Sequence, residues 1–197
     1  MIETLIFKAN ILNILAGYYC EPDEEFFFNY EIRRIFVDNS EKIDSELGTY
    51  AKIIVDSLNN YSNLDLLREY TKIFLGPFDI IAHPYASVYL EGYTLNGEIT
   101  QRILHFYNQC GLLFDEDVKD LPDNIVVMLQ FLNYLFENEI QGNNDFLNID
   151  WKSKRNEFVD LYIITWVPKF IEKIINGTQN EFYKNLALFT KKFFEVI

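Results

Sequence analysis

The 197-residue sequence predicts an all-α protein, a single-domain helical bundle of about eight or more helices with one long apolar loop. Hydrophobic residues make up 49% of the chain and recur at helical spacing over most of its length. Eight glycines and five prolines are too few for a β protein with many tight turns. The length fits one domain over residues 1–197, with two lobes and a hinge near residues 76–97 as the alternative.

The first half of the chain contains four predicted helices, each with apolar side chains on one face. The second helix is short and buries Ile32, Ile35 and Phe36. The fourth helix ends at Gly76-Pro77, because glycine provides a left-handed C-cap and proline cannot continue a helix. The expected positions are residues 2–19, a segment within 21–36, residues 45–58 and residues 64–75.

An apolar stretch without helical periodicity follows Gly76-Pro77 and extends to Leu90. It is broken by Pro84, and we expect the prolines to hold Tyr85 and Tyr89 in place without regular secondary structure. A loop this apolar must either pack against the core or receive a ligand.

The second half contains four more predicted helices, over residues 98–110, 123–138, 151–176 and 181–196. The helix over 123–138 is apolar around most of its circumference, so we predict that it is the central, buried helix. Leu121-Pro122-Asp123 is suited to opening it, with the Asp123 carboxylate facing the free amides. Pro168 should kink or interrupt the helix over 151–176.

Charge and composition exclude several function classes. A net charge of −13 argues against a nucleic-acid-binding protein, which needs clustered Lys and Arg. No segment predicts a signal peptide or a membrane span. Two histidines exclude a multi-His metal site, and Cys20 and Cys110 are most simply small buried residues. No phosphate loop, GxSxG or HExxH motif is present, so we predict neither an enzyme nor a cofactor.

Four segments together resemble the TorD/DmsD/NarJ family of molybdoenzyme chaperones. They are EYTKIFLGP at 69–77, HPYASVYLEG at 83–92, YNQCGLLF at 107–114 and LPDNIVVMLQFLNYL at 121–135. Three positions depart from the family pattern: Asn124 replaces a common histidine, His83 replaces a proline, and Ala86 replaces a frequent glutamate. The positions that match are Gly76, Pro77, Pro84, Tyr85, Ser87, Val88, Tyr89, Pro122, Asp123 and Ile125.

The resemblance implies a cytoplasmic chaperone of anaerobic respiration with no catalytic activity of its own. It would bind an apo-molybdopterin oxidoreductase, or the twin-arginine leader peptide of that subunit, until the cofactor is inserted. Monomer and homodimer are both open. One alternative is an assembly factor for a molybdoenzyme subunit that is not exported. Another is a nucleotide-binding or hydrolytic protein that uses His83 and Asp123.

A receptor for a twin-arginine leader should combine carboxylates with an apolar groove, because the leader is cationic and then apolar. We expect the acidic run from Asp115 to Asp123 to attract the arginines, and Phe74, Tyr85, Val88 and Tyr89 to receive the apolar part. The full predicted site is Phe74, Gly76, Pro77, His83, Pro84, Tyr85, Ser87, Val88, Tyr89, Asp120, Pro122, Asp123 and Asn124.

Overall fold

A computed structural model describes residues 2–76, 79–114, 120–142 and 149–197. These residues form eleven α-helices and no β-strand, which confirms the all-α prediction. The helices are α1 (Ile2–Tyr18), α2 (Glu24–Phe27), α3 (Tyr30–Ile43), α4 (Ser45–Ser57), α5 (Asn63–Tyr70), α6 (Ala86–Leu90), α7 (Glu98–Gln109), α8 (Ile125–Gln141), α9 (Trp151–Phe158), α10 (Val167–Gly177) and α11 (Glu181–Val196).

The helices share one hydrophobic core. Helix α1 packs against α8 and α3, α4 packs against α3 and α11, and α10 packs against α11. Helix α8 buries apolar side chains along its whole length, as predicted for the central helix. Within the described ranges, no helix is long and apolar enough to cross a lipid bilayer.

The segment after α1 differs from the prediction. It forms two helices, α2 and α3, because Asp23 and Asn29 each accept hydrogen bonds from backbone amides and so begin a new helix. Helix α3 faces the core with Phe36, which is fully buried. The predicted burial of Ile35 is wrong, since 37% of this residue is exposed.

Helix α5 continues into a π-helical turn, Thr71–Leu75, which ends at Gly76 as predicted. The Gly76 N–H donates to the Thr71 carbonyl at 2.6 Å. Gly76 has φ +48° and ψ 134°, so φ is positive as expected while ψ lies outside the left-handed helical region. A Cβ at Gly76 would lie 2.9 Å from the Asp79 carbonyl oxygen, so glycine also meets a steric need.

The apolar stretch after Gly76 contains more regular structure than predicted. Residues Ala86–Leu90 form α6, so the expectation of a loop without secondary structure is wrong there. Helix α6 has no local side-chain cap, because the residue at its N-cap is Tyr85, whose side chain makes no capping hydrogen bond. Farther along, Pro168 occupies the first turn of α10, where its missing N–H is tolerated, and the predicted interruption is confirmed.

Candidate functional site

Two of the sequence motifs meet at a short antiparallel bridge between Tyr85 and Asn124. The Ala86 N–H donates to the Asp123 carbonyl at 3.0 Å, and the Ile125 N–H donates to the Pro84 carbonyl at 2.8 Å. The start of α6 is thereby fixed beside the start of α8. The predicted site residues of both segments are brought together by backbone contacts, which do not depend on side-chain identity.

Asp123 is fully buried beneath this bridge. One carboxylate oxygen accepts a hydrogen bond from the Ser87 N–H at 2.9 Å, and the other accepts one from the Thr100 hydroxyl at 3.0 Å. Because Ser87 lies in the first turn of α6, Asp123 supplies from a distant segment the cap that Tyr85 does not provide. Its burial argues against the expected contact between this carboxylate and an arginine.

Asn124, rather than Asp123, begins α8. Its side-chain oxygen accepts a hydrogen bond from the Val126 N–H at 2.8 Å, which is the geometry of an N-cap. The predicted role of Asp123 in opening this helix is therefore wrong. The Asn124 side-chain nitrogen donates to Asp120 at 2.8 Å, so this amide joins the helix cap to an acidic residue at the surface.

Asp120 is half-buried at the edge of the bridge. Its second carboxylate oxygen accepts a hydrogen bond from the Leu121 N–H at 2.8 Å. The Tyr85 phenol lies against Asp120 and Asn124. Partial burial, followed by the hydrogen bond and the negative charge of Asp120, raises the pKa of Tyr85 to about 12. Tyr85 therefore stays neutral at physiological pH and can donate a hydrogen bond to the carboxylate.

The other wall of the site comes from the end of α1 and from α5. Burial, followed by neighbouring Cys20, Glu21 and Asp120, raises the pKa of Tyr70 to about 12. Cys20 is half-buried, whereas Cys110 is fully buried, so the prediction of a buried cysteine is confirmed only for Cys110. We call this group the Asp120 cluster. Its members are Cys20, Glu21, Tyr70, Tyr85, Asp120 and Asn124.

The Asp120 cluster carries the two carboxylates of Asp120 and Glu21. Among the described residues, no Lys or Arg forms an ion pair with Asp120 or Glu21. In the same part of the chain, no group of three or more His, Cys, Asp or Glu side chains is placed to hold a metal ion. The arrangement is therefore suited to receive a cationic side chain from another molecule.

Several predicted site residues lie inside the protein. Phe74 is 3% exposed and packs between Tyr19, Phe170 and Tyr183. Ser87 and Val88 are also buried. Pro122 is buried, and its carbonyl accepts a hydrogen bond from the Tyr107 hydroxyl at 2.8 Å. These residues hold the bridge in place but offer little surface to a partner.

The remaining predicted residues lie outside the Asp120 cluster or outside the described ranges. Tyr89 rests on Trp166, with ring centroids 5.5 Å apart. His83 is half-buried beside Tyr93 in a separate groove, and burial lowers its pKa. Pro77 and residues 115–119 of the acidic run lie outside the described residues.

Sequence reasoning missed three members of the cluster: Cys20, Glu21 and Tyr70. Tyr70 belongs to the EYTKIFLGP motif, and Glu21 begins an acidic run, so each carried a signal. Cys20 carried none. None of the three could be assigned to the site without the fold, because only the fold brings the end of α1 and the end of α5 near Asp120.

Comparisons with known proteins agree with this fold and with the motifs. The chain is 27% identical over 183 residues to the chaperone protein TorD of Vibrio parahaemolyticus, covering 89% of this chain and 83% of that protein. It is 25% identical over 135 residues to TorD of Vibrio cholerae, covering 66% of this chain and 61% of that protein. A crystal structure of a candidate redox enzyme maturation protein from Archaeoglobus fulgidus has a TM-score of 0.58 and 20% identity, covering 95% of this chain and 91% of that one.

The match to a protein-family model covers more of the chain than any one of the four motifs. The model describes the nitrate reductase delta subunit, and it matches residues 40–172, including both segments of the Tyr85–Asn124 bridge. The resemblance to the TorD/DmsD/NarJ family is confirmed by this match and by the TorD relatives. Since residues 40–172 make up 133 of the 197 residues, this chain belongs to the nitrate reductase delta subunit family.

Proposed function

We propose that this protein is a chaperone, without catalytic activity, for the maturation of a molybdenum-dependent oxidoreductase. It binds the catalytic subunit before its cofactor is inserted, through the twin-arginine leader peptide, and acts in the cytoplasm. The family match and the relatives named as TorD chaperones support this role. A monomer or a homodimer, and a hinge near residues 76–97, stay predictions.

The observation that carries leader recognition is the half-buried carboxylate of Asp120, which lies against Tyr85 and near Tyr70 and forms no ion pair with a described residue. An arginine guanidinium offers several donors in a planar fork, which fits a carboxylate better than a lysine ammonium does. Tyr70 and Tyr85 are the aromatic side chains near this carboxylate, and a planar cation bound there can pack on an aromatic ring. Glu21 at the rim adds attraction over a longer range, which helps to select a ligand with two adjacent positive charges.

The alternative of nucleotide or hydrolytic chemistry depended on His83 and Asp123. Asp123 has no exposed surface, and both of its oxygens accept hydrogen bonds from the protein itself. A general acid or base must reach its substrate, so this pair does not supply one.

Leader recognition can be tested by calorimetric titration with synthetic peptides. The first peptide has two adjacent arginines followed by about ten apolar residues, and two matched peptides replace both arginines by lysines or by glutamines. We expect the arginine peptide to bind roughly tenfold more tightly than the lysine peptide, which loses the fork geometry. The glutamine peptide should bind more weakly still. Equal affinity for all three peptides would contradict arginine recognition.

The client is tested separately by affinity capture from the native cell. A molybdenum-dependent catalytic subunit that co-purifies with this protein would support the chaperone role. Recovery of such a subunit without a twin-arginine leader would support the alternative of a non-exported client. If no molybdenum-dependent subunit is captured, the result would count against both an exported and a non-exported client.

A further inference from the structure

The Asp120 cluster accounts for the cationic part of a leader peptide but not for its apolar part. Of the four residues expected to receive the apolar part, Phe74 and Val88 offer little surface, since they are 3% and 5% exposed. Tyr89 is held against Trp166 and Phe170. Other apolar surfaces near the bridge are therefore candidates. The described residues include one groove beside α8 and one around Ile80, Ile81 and Tyr89, which the groove beside His83 adjoins.

The first groove is a cavity of about 310 Å³ between the end of α7 and the first half of α8. Leu113 is 84% exposed, which is the largest exposed fraction among the large hydrophobic residues in the described part of the chain. Lining residues include Leu112, Leu113, Phe114, Val127, Phe131 and Tyr134, and we call this surface the α8 cup.

The polar atoms of the α8 cup are largely used within the protein. The Tyr134 hydroxyl donates to the Cys110 carbonyl at 3.0 Å, and the Tyr107 hydroxyl donates to the Pro122 carbonyl. No charged side chain lines the described part of the cup, and Gln130 is its one amide side chain. The surface is therefore apolar in character, and burying Leu113 against a ligand would remove its side chain from water.

The α8 cup lies along the same side of α8 as the Asp120 cluster. Asn124, Val127, Phe131 and Tyr134 follow one another at spacings of three or four residues, which places them on one helix face. With a rise of about 1.5 Å per residue, Asn124 and Tyr134 are roughly 15 Å apart. This distance is spanned by about ten residues of a helical peptide or about five residues of an extended one.

Tyr107 connects the two surfaces physically. Its hydroxyl is bonded to Pro122, next to the buried Asp123. Its ring stacks on Phe114 and lies 4.1 Å from the Phe131 ring centroid, at the floor of the cup. One fully buried side chain thus holds the Asp120 segment and the α8 cup in a fixed relation.

The second groove is larger, about 610 Å³, but its charge is unfavourable. We call it the basic groove. Lys169 and Lys173 line it against one carboxylate, Glu172, and neither lysine has an ion pair among the described residues. Two lysines against one carboxylate give this groove a net positive charge, which disfavours a cationic leader. Ile80, Ile81 and Tyr89 supply the apolar part of this groove.

We infer that the α8 cup is the subsite for the apolar segment that follows the arginines in the leader peptide. This inference rests on the proposed function, since the Asp120 cluster fixes where the arginines lie. The leader then runs from the N-terminal end of α8 over the half-buried side chains of Val127 and Tyr134, with the buried Phe131 ring beneath them. Its net positive charge disfavours the basic groove in spite of its larger volume.

The inference is tested with the arginine peptide and a second peptide in which the apolar residues are replaced by serines. Leu113→Ser should weaken binding of the arginine peptide about fivefold to tenfold, since most of one leucine side chain is lost from the contact. The same variant should bind the serine peptide as the wild type does. Ile53→Ser is the matched control, because it makes the same kind of change at another exposed apolar residue. Ile53 is 41% exposed and lies on α4, which packs against α3 and α11. It should change neither affinity.

Three results separate the inference from the proposed function. If the arginine peptide binds the wild type and Leu113→Ser equally, the α8 cup is not the subsite, while leader recognition stands. If the arginine peptide does not bind the wild type, both fail. A photo-crosslinker in the apolar segment gives an independent readout. Crosslinks to residues 112–114 or 127–134 support the cup, whereas crosslinks to Ile80, Ile81 or Tyr89 overturn it.

Discussion

Asp123 is fully buried and accepts hydrogen bonds from Ser87 and Thr100, whereas Asp120, three residues earlier, is half-buried at a surface with two tyrosines. Both belong to one acidic segment, and both were expected to attract arginines. Both carboxylates accept hydrogen bonds from the protein, but only Asp120 keeps exposed surface. Asp123 stabilises the fold that positions the site, and Asp120 is the carboxylate that a ligand can reach.

The largest expected effect comes from Asp123→Ala. The substitution leaves the Ser87 N–H and the Thr100 hydroxyl buried without their acceptor, so we expect a loss of about 3 kcal/mol in the free energy of unfolding. Urea denaturation measures this change. Asp44→Ala removes a half-buried local helix cap that accepts from Glu46 and Leu47, and it should cost about 1 kcal/mol.

Ser87→Ala is a second control within the same buried contact. Its hydroxyl oxygen is buried and has no hydrogen-bond partner among the described residues. Removing it should change the free energy of unfolding by less than about 0.5 kcal/mol, or stabilise the protein slightly. An Asp123→Ala protein as stable as the wild type would refute the structural role of that carboxylate.

The contrast between the two aspartates also shows how far sequence reasoning could go. The end of the helix at Gly76 and the buried character of α8 were predictable, because a Gly-Pro pair and an apolar period are local signals. The role of Asp123 was not predictable. Its hydrogen-bond donor Ser87 lies 36 residues earlier in the chain, and whether Asp123 or Asn124 caps α8 depends on the bridge to Tyr85.

The composition of the site was unpredictable for the same reason. Cys20, Tyr70 and Asp120 come from three distant parts of the chain and meet only in the folded protein. Val88 looked suitable for a ligand because it is apolar and lies in a motif, but α6 turns it inward. Hydrophobic pattern alone does not distinguish a residue that packs in the core from one that binds a partner.

The second prediction concerns Asp120→Asn, which keeps the side-chain shape and removes the charge. We expect affinity for the arginine peptide to fall roughly tenfold, about 1.4 kcal/mol. Stability should fall by about 1 kcal/mol, less than for Asp123→Ala, because an amide can accept only one of the two bonds from Leu121 and Asn124. Binding by the wild type should weaken as salt is raised, and binding by the variant should depend less on salt. Peptide titrations at two ionic strengths and urea denaturation check these points. If Asp120→Asn lowers stability but leaves affinity for the arginine peptide unchanged, Asp120 has a structural role and does not bind the leader.

The smallest expected effect is on the ionisation of Tyr85. Its pKa of about 12 is raised first by partial burial and then by Asp120, so Asp120→Asn should lower this pKa toward the ordinary value near 10. Because the pKa is higher in the folded state, the Tyr85 contribution to stability is fully present below about pH 10 and is lost as pH rises toward 12. In Tyr85→Phe this contribution is absent at every pH, so the difference in the free energy of unfolding between the variant and the wild type should become smaller from about pH 10 to pH 12.

Ring carbon NMR of labelled tyrosine measures the pKa of Tyr85 directly, with Tyr85→Phe to assign the signal. An unchanged pKa in Asp120→Asn would mean that the phenol does not face this carboxylate, and the arginine site would then lack one of its two aromatic walls.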